Sequence, residues 1–369
     1  MWGKRMIGLS LLMAVVWTIS RATEQVVLYP SVDQFGKPLE LSGRLTAPAD
    51  SAKGIILLLH GTHTSNDEVP SNKPMYEERQ LGREYVLVMP DYMGYGATQD
   101  SIHPYLCGEF TARHCVDMLL AVRPMLDTMA VKIETDSIII FGFSQGGATA
   151  VWCLKLLEER YAEQLPVKAC YAGGGPYDVA SEFDHCIQKN KTGMPVTIPM
   201  LVLGTDMAYQ LGLDTKDYFT KATEKIEKRF VREKKQGFVS VWFRTPVHLL
   251  SHWLSKKGRD KSQPATQRIY EGLLRSSLVH YPIDDHPVGQ EIICPSWRPK
   301  AKTYIFHSTN DNVVGFHNSE HLRRCWGELE NVRYEFGKFG SHMKSYQRFS
   351  KTACEELGIG EWELGNGNW

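Results

Sequence analysis

Residues 137–150 read SIIIFGFSQGGATA, and this stretch carries the clearest structural signal in the chain. The β-branched run Ile138–Ile140 predicts a buried strand, the glycines around Ser144 predict a tight turn, and the alanine-rich end predicts a helix. A side chain at Gly142 or Gly146 would collide with the neighbouring strand or helix, and the serine would adopt strained dihedrals. We therefore predict a nucleophile elbow that exposes the serine hydroxyl. The alternative is a turn whose serine only caps the helix.

Apolar runs before and after the elbow predict strands that alternate with helices. These strands are 55–60, 85–90, 167–173, 303–308 and 332–339. Strands that are apolar throughout are typical of a parallel sheet covered on both faces. We predict an α/β fold with a doubly wound, mostly parallel sheet. The hairpin formed by 26–32 and 38–45 would be its antiparallel edge.

The pattern changes between the strand at 167–173 and the strand at 303–308. Amphipathic helices such as 217–235 dominate there, and 200–203 is the one strand-like run. We predict a mainly helical cap insertion over 181–290, which divides the core into 23–180 and 291–369. The insertion would sit over the carboxyl edge of the sheet, where open α/β sheets bind ligands.

The aromatic residues of the insertion have two possible roles. They would form the insertion's own small core, which we favour, or they would line an apolar substrate pocket. The residues concerned are Trp242, Phe243 and Trp253.

The first 22 residues have the composition of a secretory signal. Lys4 and Arg5 precede the apolar run 6–17, and Ser20-Arg21-Ala22 follows it. A basic start, a short apolar segment and small residues before a break are typical of a cleaved signal peptide. We expect an exported protein, periplasmic or secreted, with no membrane span after cleavage. The alternative is an uncleaved N-terminal anchor.

Charge and cysteine patterns restrict the possible partners. The 42 basic and 42 acidic residues balance, so nothing indicates a nucleic acid as partner. No cysteine or histidine cluster has zinc spacing, and we predict neither a metal nor a cofactor.

The chain has eight cysteines, some of which an exported protein could pair. The disulfide pairings to test first are Cys107–Cys115 and Cys186–Cys294. Cys153 and Cys170 are expected to be buried thiols.

A serine nucleophile needs a base and an acid that orients the base. After a nucleophile elbow the acid and then the histidine follow along the chain. Asp311, in the turn TNDNVV, is our candidate acid, and His342, in GSHM after the last strand, is our candidate base. Asp311 could instead form an Asx turn or cap a helix. The competing acids are Asp178, Asp284 and Asp285, and the competing histidine is His286.

Two backbone N–H groups must stabilise the oxyanion that forms when such a serine attacks a carbonyl. One would come from Gln145, directly after the nucleophile. The other would come from Thr62, in the loop after the strand that ends at His60. We expect His60 itself to brace this loop rather than to take part in chemistry.

The chain resembles the α/β-hydrolase superfamily, because the motifs LLLHGT, PDYMGYG, GFSQGG, NDNVV and GSHM occur in this order. The N-terminal hairpin and the helical insertion look most like its secretory lipase and esterase branch, including bacterial exported members. The resemblance implies hydrolysis of carboxylic esters through an acyl-enzyme, with Ser144, Asp311 and His342 as the catalytic triad. The substrate would be a small-molecule, lipid or carbohydrate ester.

Two other functions are compatible with these residues. A serine exopeptidase or amidase would use the same triad and an acidic residue that binds a free amine, for which Glu182, Asp184 and Asp217 are candidates. A non-catalytic binding protein could also have this fold, although retention of all three triad residues in their expected order argues against it.

Overall fold

The computed structural model describes residues 23–129, 131–235, 237, 249–282 and 288–360. Several of the predicted features lie outside these residues. They are the signal peptide 1–22, the aromatic residues Trp242 and Phe243, the competing acids Asp284 and Asp285, and His286.

An eight-stranded sheet forms the centre of the described structure. Its strands are β1 Thr23–Val32, β2 Pro38–Ala47, β3 Ile55–Leu59, β4 Val86–Pro90, β5 Ile138–Phe143, β6 Val167–Gly173, β7 Lys302–Ser308 and β8 Val332–Gly337. They are ordered β1-β2-β4-β3-β5-β6-β7-β8 across the sheet. β2 is antiparallel to both β1 and β4, and all other neighbours are parallel. The predicted mostly parallel sheet with an antiparallel edge hairpin is confirmed.

Helices connect the strands and cover both faces of the sheet. They are α1 Glu78–Leu81, α2 Gly108–Leu126, α3 Gln145–Arg160, α4 Val179–Lys189, α5 Thr197–Tyr209, α6 Thr215–Tyr218, α7 Lys221–Glu227, α8 Leu250–Trp253, α9 Pro264–Ser276, α10 His317–Trp326 and α11 His342–Glu356. A short parallel pair, Ser51–Ala52 with Lys132–Ile133, lies outside the main sheet. Among the described helices, none is long and apolar enough to cross a membrane.

Alternate residues of the central strands belong to two separate apolar cores. In β3, Ile55 and Leu57 join the core that includes residues of α2, α3 and α10. Ile56 and Leu58 join the core on the other face, which includes residues of α11. Side chains along a strand point alternately to opposite faces, so both faces of β3 are buried and its sequence is apolar throughout.

The helices α4–α9 lie between β6 and β7 and share a third apolar core. Trp253 is completely buried in this core, as we favoured for the aromatic residues of the insertion. The predicted strand at 200–203 is wrong, because these residues are part of α5. Residues 198–203 are all buried, and a short apolar run inside a buried helix cannot be distinguished from a strand by periodicity.

The predicted single helix over 217–235 is interrupted. α6 ends at Tyr218, and α7 begins only at Lys221. Thr220 is the reason, because its side chain accepts a hydrogen bond from the N–H of Thr223 and caps a new helix. A π-helical turn, Lys228–Arg232, then follows α7.

The disulfide in the described structure joins Cys294 and Cys325. Both pairings that we ranked first are therefore wrong. Cys107 precedes α2 and Cys115 lies two turns into it, a separation of about 12 Å that is too long for a disulfide. Cys186 is a buried thiol in α4. Cys153 and Cys170 are buried thiols as predicted.

Replacing both Cys294 and Cys325 with serine is expected to lower the free energy of unfolding by about 3–4 kcal/mol, because the bond closes a loop of 31 residues. Urea unfolding with and without dithiothreitol measures the effect. The reductant should lower the stability of the wild type to that of the variant and leave the variant unchanged. Equal sensitivity of both proteins to the reductant would contradict the assignment.

Candidate active site

Ser144 occupies the turn between β5 and α3 in a strained conformation, with φ 60° and ψ −123°. A Cβ atom on Gly142 would overlap the carbonyl of Gly146, and one on Gly146 would overlap the carbonyl of Leu59. The strain and the steric need for these glycines are as predicted. The Ser144 side chain makes no capping hydrogen bond to α3, so the helix-cap alternative is wrong.

The loop after β7 holds Asp311 against His342, the first residue of α11. Asp311 Oδ2 lies 2.6 Å from His342 Nδ1, while its Oδ1 accepts the N–H groups of Val313 at 2.8 Å and Val314 at 2.9 Å. The backbone N–H of His342 donates to Asn312 Oδ1 at 3.1 Å. Asp311 thus makes the alternative Asx turn with one oxygen and contacts the histidine with the other.

The electrostatics of this pair determine which nitrogen of the imidazole carries the proton. Burial by itself would raise the pKa of Asp311, but the charge and hydrogen bond of His342 and the backbone N–H of Val313 outweigh it and lower that pKa. An ionised carboxylate can only accept hydrogen bonds, so His342 Nδ1 donates. The Nε2 atom of a neutral His342 is then free to accept a proton.

His342 lies beside the elbow. Its ring packs against Phe143, the residue before Ser144, with 4.9 Å between ring centroids. A Cβ atom on Gly174, directly after β6, would come within 3.3 Å of His342 Cε1. The structure therefore places His342 against Asp311 and beside the elbow that carries Ser144.

The loop after β3 also approaches the elbow. A Cβ atom on Gly61 would be 4.0 Å from Ser144 Cβ, and Thr62 lines the same cavity as Ser144 and Gln145. Gln145 is the first residue of α3, where backbone N–H groups have no partner within the helix. The hydroxyl groups of Thr62 and Tyr105 are 2.8 Å apart, which fixes the Thr62 side chain.

Sequence reasoning missed His103, which holds the Gln145 side chain. His103 Nδ1 lies 2.7 Å from the carbonyl oxygen of Met93, which can only accept a hydrogen bond. Burial lowers the pKa of His103 to about 3, so the ring is neutral and its Nε2 accepts from Gln145 Nε2 at 2.6 Å. Neither His103 nor Tyr105 belongs to a motif, and only the folded contacts identify them.

His60 braces its loop, as predicted. Its ring nitrogens lie 2.6 Å from the carbonyl oxygen of Gly61 and 3.2 Å from that of Asp91. The imidazole also stacks on Tyr92, with 3.9 Å between ring centroids. Burial lowers the pKa of His60, which favours its neutral form.

The competing acid Asp178 contacts two other histidines. Its oxygens lie 2.8 Å from His280 Nδ1 and 2.7 Å from His321 Nδ1, and they also accept the backbone N–H groups of Ser181 and Tyr281. These contacts join the start of α4 to α10 and to the segment after α9. Burial would raise the pKa of Asp178, but its bonds to the two histidines lower it.

The cavity beside Ser144 has a volume of about 50 Å³, room for a few water molecules. Of the three acids considered for binding an amine, only Glu182 lines it. Asp184 is buried against Tyr270 and Lys261, and Asp217 pairs with Lys257 at the surface. Most of the lining is apolar and comes from α4, from α5 and the segment before it, and from the loop after β7; it includes Val179, Phe183, Met194, Ile198, Leu201, Val313 and Val314.

Comparisons with known proteins identify a family for this chain. The family model described as secretory lipase matches residues 75–352. A secreted triacylglycerol lipase of Malassezia furfur, LIP5, is 23% identical over 294 residues, which are 79% of this chain and 67% of that protein. A second one, LIP3 of Malassezia restricta, is 24% identical over 250 residues, 67% of this chain and 47% of that protein.

Solved structures share the fold at low sequence identity. A hydrolase from Legionella pneumophila superposes with a TM-score of 0.76 at 18% identity, over 91% of this chain and 88% of the other. The rice cell wall degrading esterase LipA from Xanthomonas oryzae superposes with a TM-score of 0.74 at 17% identity, over 91% of this chain and 89% of the other. Candida antarctica lipase A in its closed state superposes with a TM-score of 0.66 at 13% identity, over 93% of this chain and 80% of the other. The chain therefore belongs to the secretory lipase family, and it is a carboxylic ester hydrolase with the α/β-hydrolase fold.

Proposed function

We propose that this protein hydrolyses carboxylic esters through a Ser144–His342–Asp311 triad and a covalent acyl-enzyme. The observation that carries the proposal is the 2.6 Å contact between Asp311 and His342, with His342 packed against the strained elbow. A serine hydroxyl is a weak nucleophile at neutral pH and becomes effective only beside an oriented base. The buried aspartate provides that orientation.

In the proposed reaction, Ser144 Oγ attacks the ester carbonyl while His342 Nε2 accepts the hydroxyl proton. Asp311 holds the Nδ1–H tautomer and stabilises the imidazolium that forms. His342 then donates this proton to the departing alcohol, which leaves the acyl group on Ser144. Water, activated by the same imidazole, attacks the acyl-enzyme and releases the carboxylic acid.

The oxyanion would be stabilised by the backbone N–H groups of Gln145 and Thr62. Gln145 begins α3, whose N-terminal end carries partial positive charge. Thr62 lies across the cavity on a loop that His60 and Tyr105 brace. Two donors fixed by the fold lose little free energy to reorganisation when negative charge develops.

The segment 181–290 is proposed to be a cap that shapes the site for the acyl part of the substrate. Its helices α4 and α5 supply much of the cavity lining. The two curated relatives are described as secreted triacylglycerol lipases. Together with the signal-like residues 1–22, this supports an exported enzyme, periplasmic or secreted, that acts on esters of lipids or carbohydrates.

Ser144→Ala and His342→Ala should each lower kcat for p-nitrophenyl butanoate by about 10⁴–10⁶, and the double variant should be no worse than either single one. Non-additivity is expected because the two residues act in the same step. Stopped assays with purified proteins measure the rates, and circular dichroism checks the fold. Wild-type turnover by Ser144→Ala would refute the mechanism. Failure of the wild type to react with a fluorophosphonate probe would favour a non-catalytic binding protein.

Asp311→Asn should lower kcat by about 10⁴, since the amide stabilises the wrong imidazole tautomer. Asp178→Asn should leave kcat per folded molecule close to that of the wild type. It should instead lower the free energy of unfolding by about 1.5–3 kcal/mol, because buried bonds to a charged group are lost. Asp136→Asn, at an exposed carboxylate, is the control for stability. A large loss of kcat in Asp178→Asn together with a kcat close to wild type in Asp311→Asn would identify Asp178 as the catalytic acid.

Thr62→Pro should lower kcat by about 10²–10³, because proline has no N–H to donate to the oxyanion. Thr62→Val keeps the N–H and loses only the hydroxyl that contacts Tyr105, so its effect should be much smaller. Thermal unfolding of both variants separates the loss of a donor from misfolding. Equal kcat values for two folded variants would remove Thr62 from the oxyanion hole.

A further inference from the structure

Glu182 is an acidic side chain in the largely apolar cavity beside Ser144. It lies in the first turn of α4, and 15% of its side-chain surface remains accessible. Val179 and Phe183, its neighbours on the same helix, line the cavity as apolar walls. A carboxyl group placed among such residues loses hydration. This loss costs free energy unless another group supplies hydrogen bonds.

The two oxygens of Glu182 have different surroundings. Oε2 accepts hydrogen bonds from the backbone N–H of Gly315 at 2.9 Å and from Asn318 Nδ2 at 2.7 Å. Among the described residues, the contact of Oε1 is the thiol of Cys186 at 3.9 Å, and thiols are weak donors. Cys186 itself lines the cavity. One oxygen is therefore anchored to the loop after β7, while the other lies beside the cavity-lining Cys186 with its acceptor capacity largely unused.

The surroundings do not neutralise a charge on Glu182. The titratable groups that act on it or lie against it are Asp178, Asp311, Tyr105, Cys186 and His317. The two aspartates are acidic, and burial together with neighbouring histidines lowers the pKa of His317 to about 3, so that its ring is neutral. Burial raises the pKa of Glu182 to about 7, above its usual range.

We propose that Glu182 is a specificity-determining residue, whose Oε1 accepts a hydrogen bond from a donor group on the acyl part of the ester. A hydroxyl or an ammonium group provides this chemistry, and a plain alkyl chain does not. An alkyl chain would leave the carboxylate desolvated without a partner, which costs binding free energy. The inference rests on the proposed function, because the acyl group enters this cavity only when Ser144 is the nucleophile.

Ethyl esters of butanoate, 3-hydroxybutanoate and 3-aminobutanoate test the proposal, with product chromatography as the readout. The wild type should prefer at least one donor-bearing ester over butanoate by roughly ten-fold in kcat/KM, as expected for a charge-assisted hydrogen bond. Glu182→Gln keeps the size of the side chain and an oxygen that can accept from Gly315 and Asn318. It should abolish the preference for the amino ester and reduce that for the hydroxy ester. The donor-bearing ester that the wild type prefers over butanoate identifies the donor group.

The same ratio of kcat/KM values provides a pH test. For the hydroxy ester it should rise as the pH passes through about 7, where Glu182 ionises, and it should not change with pH in Glu182→Gln. Taking a ratio of two substrates cancels the pH dependence that both derive from the catalytic histidine. Asp217→Asn, at a surface acid outside the cavity, is the matched control and should leave the ratio unchanged.

The outcomes separate this inference from the proposed function. If Glu182→Gln lowers kcat/KM for all three esters by the same factor, Glu182 only positions the loop that carries Asp311, and the inference fails. If the wild type shows no preference, the inference also fails, although Ser144-dependent hydrolysis stands. If Ser144→Ala still hydrolyses the esters, the proposed function itself is refuted.

Discussion

The site depends on how closely the start of α3 packs against the sheet. Gly146 and Gly147 let the backbone of this helix touch backbone carbonyls of β3 and β6, and Gly142 in β5 leaves room for the carbonyl of Gly146; a Cβ at any of the three would overlap a carbonyl. Close packing leaves Ser144 no room for ordinary dihedrals, and the residue adopts a positive φ. The strain, of order 1–3 kcal/mol, is borne by the surrounding sheet. As a result, Ser144 and Gln145 both line the cavity at the sheet edge.

Two buried aspartates illustrate how position decides the role of a side chain. Asp311 and Asp178 both contact imidazole nitrogens, and contacts with histidine lower the pKa of each. Only Asp311 lies on the loop after β7, from which it reaches the residue that packs on the elbow. Asp178 joins the start of the insertion to α10. A short contact between aspartate and histidine therefore does not by itself identify a catalytic pair.

Local patterns were sufficient to predict the features that neighbouring residues determine. The run at 138–140 predicted its strand, the glycines around Ser144 predicted the elbow, and the order of motifs selected Asp311 and His342, which are in contact. The disulfide partner of Cys294 was missed, because it lies 31 residues away and only the tertiary fold brings the two together. His103 was missed for the same reason, since its contact with Gln145 spans 42 residues.

The insertion is coupled to the core by buried polar contacts as well as by apolar packing. Lys234, after the π-helical turn, donates hydrogen bonds to the carbonyl oxygens of Gly94, Gln99 and Ser101, and burial lowers its pKa to about 8. Glu182 makes a second link, from α4 to the loop that carries Asp311. Buried charged groups that lose a partner are costly, so these links restrict how the insertion can shift. A change in α4 that alters the cavity beside Ser144 would therefore also act on the loop that carries Asp311.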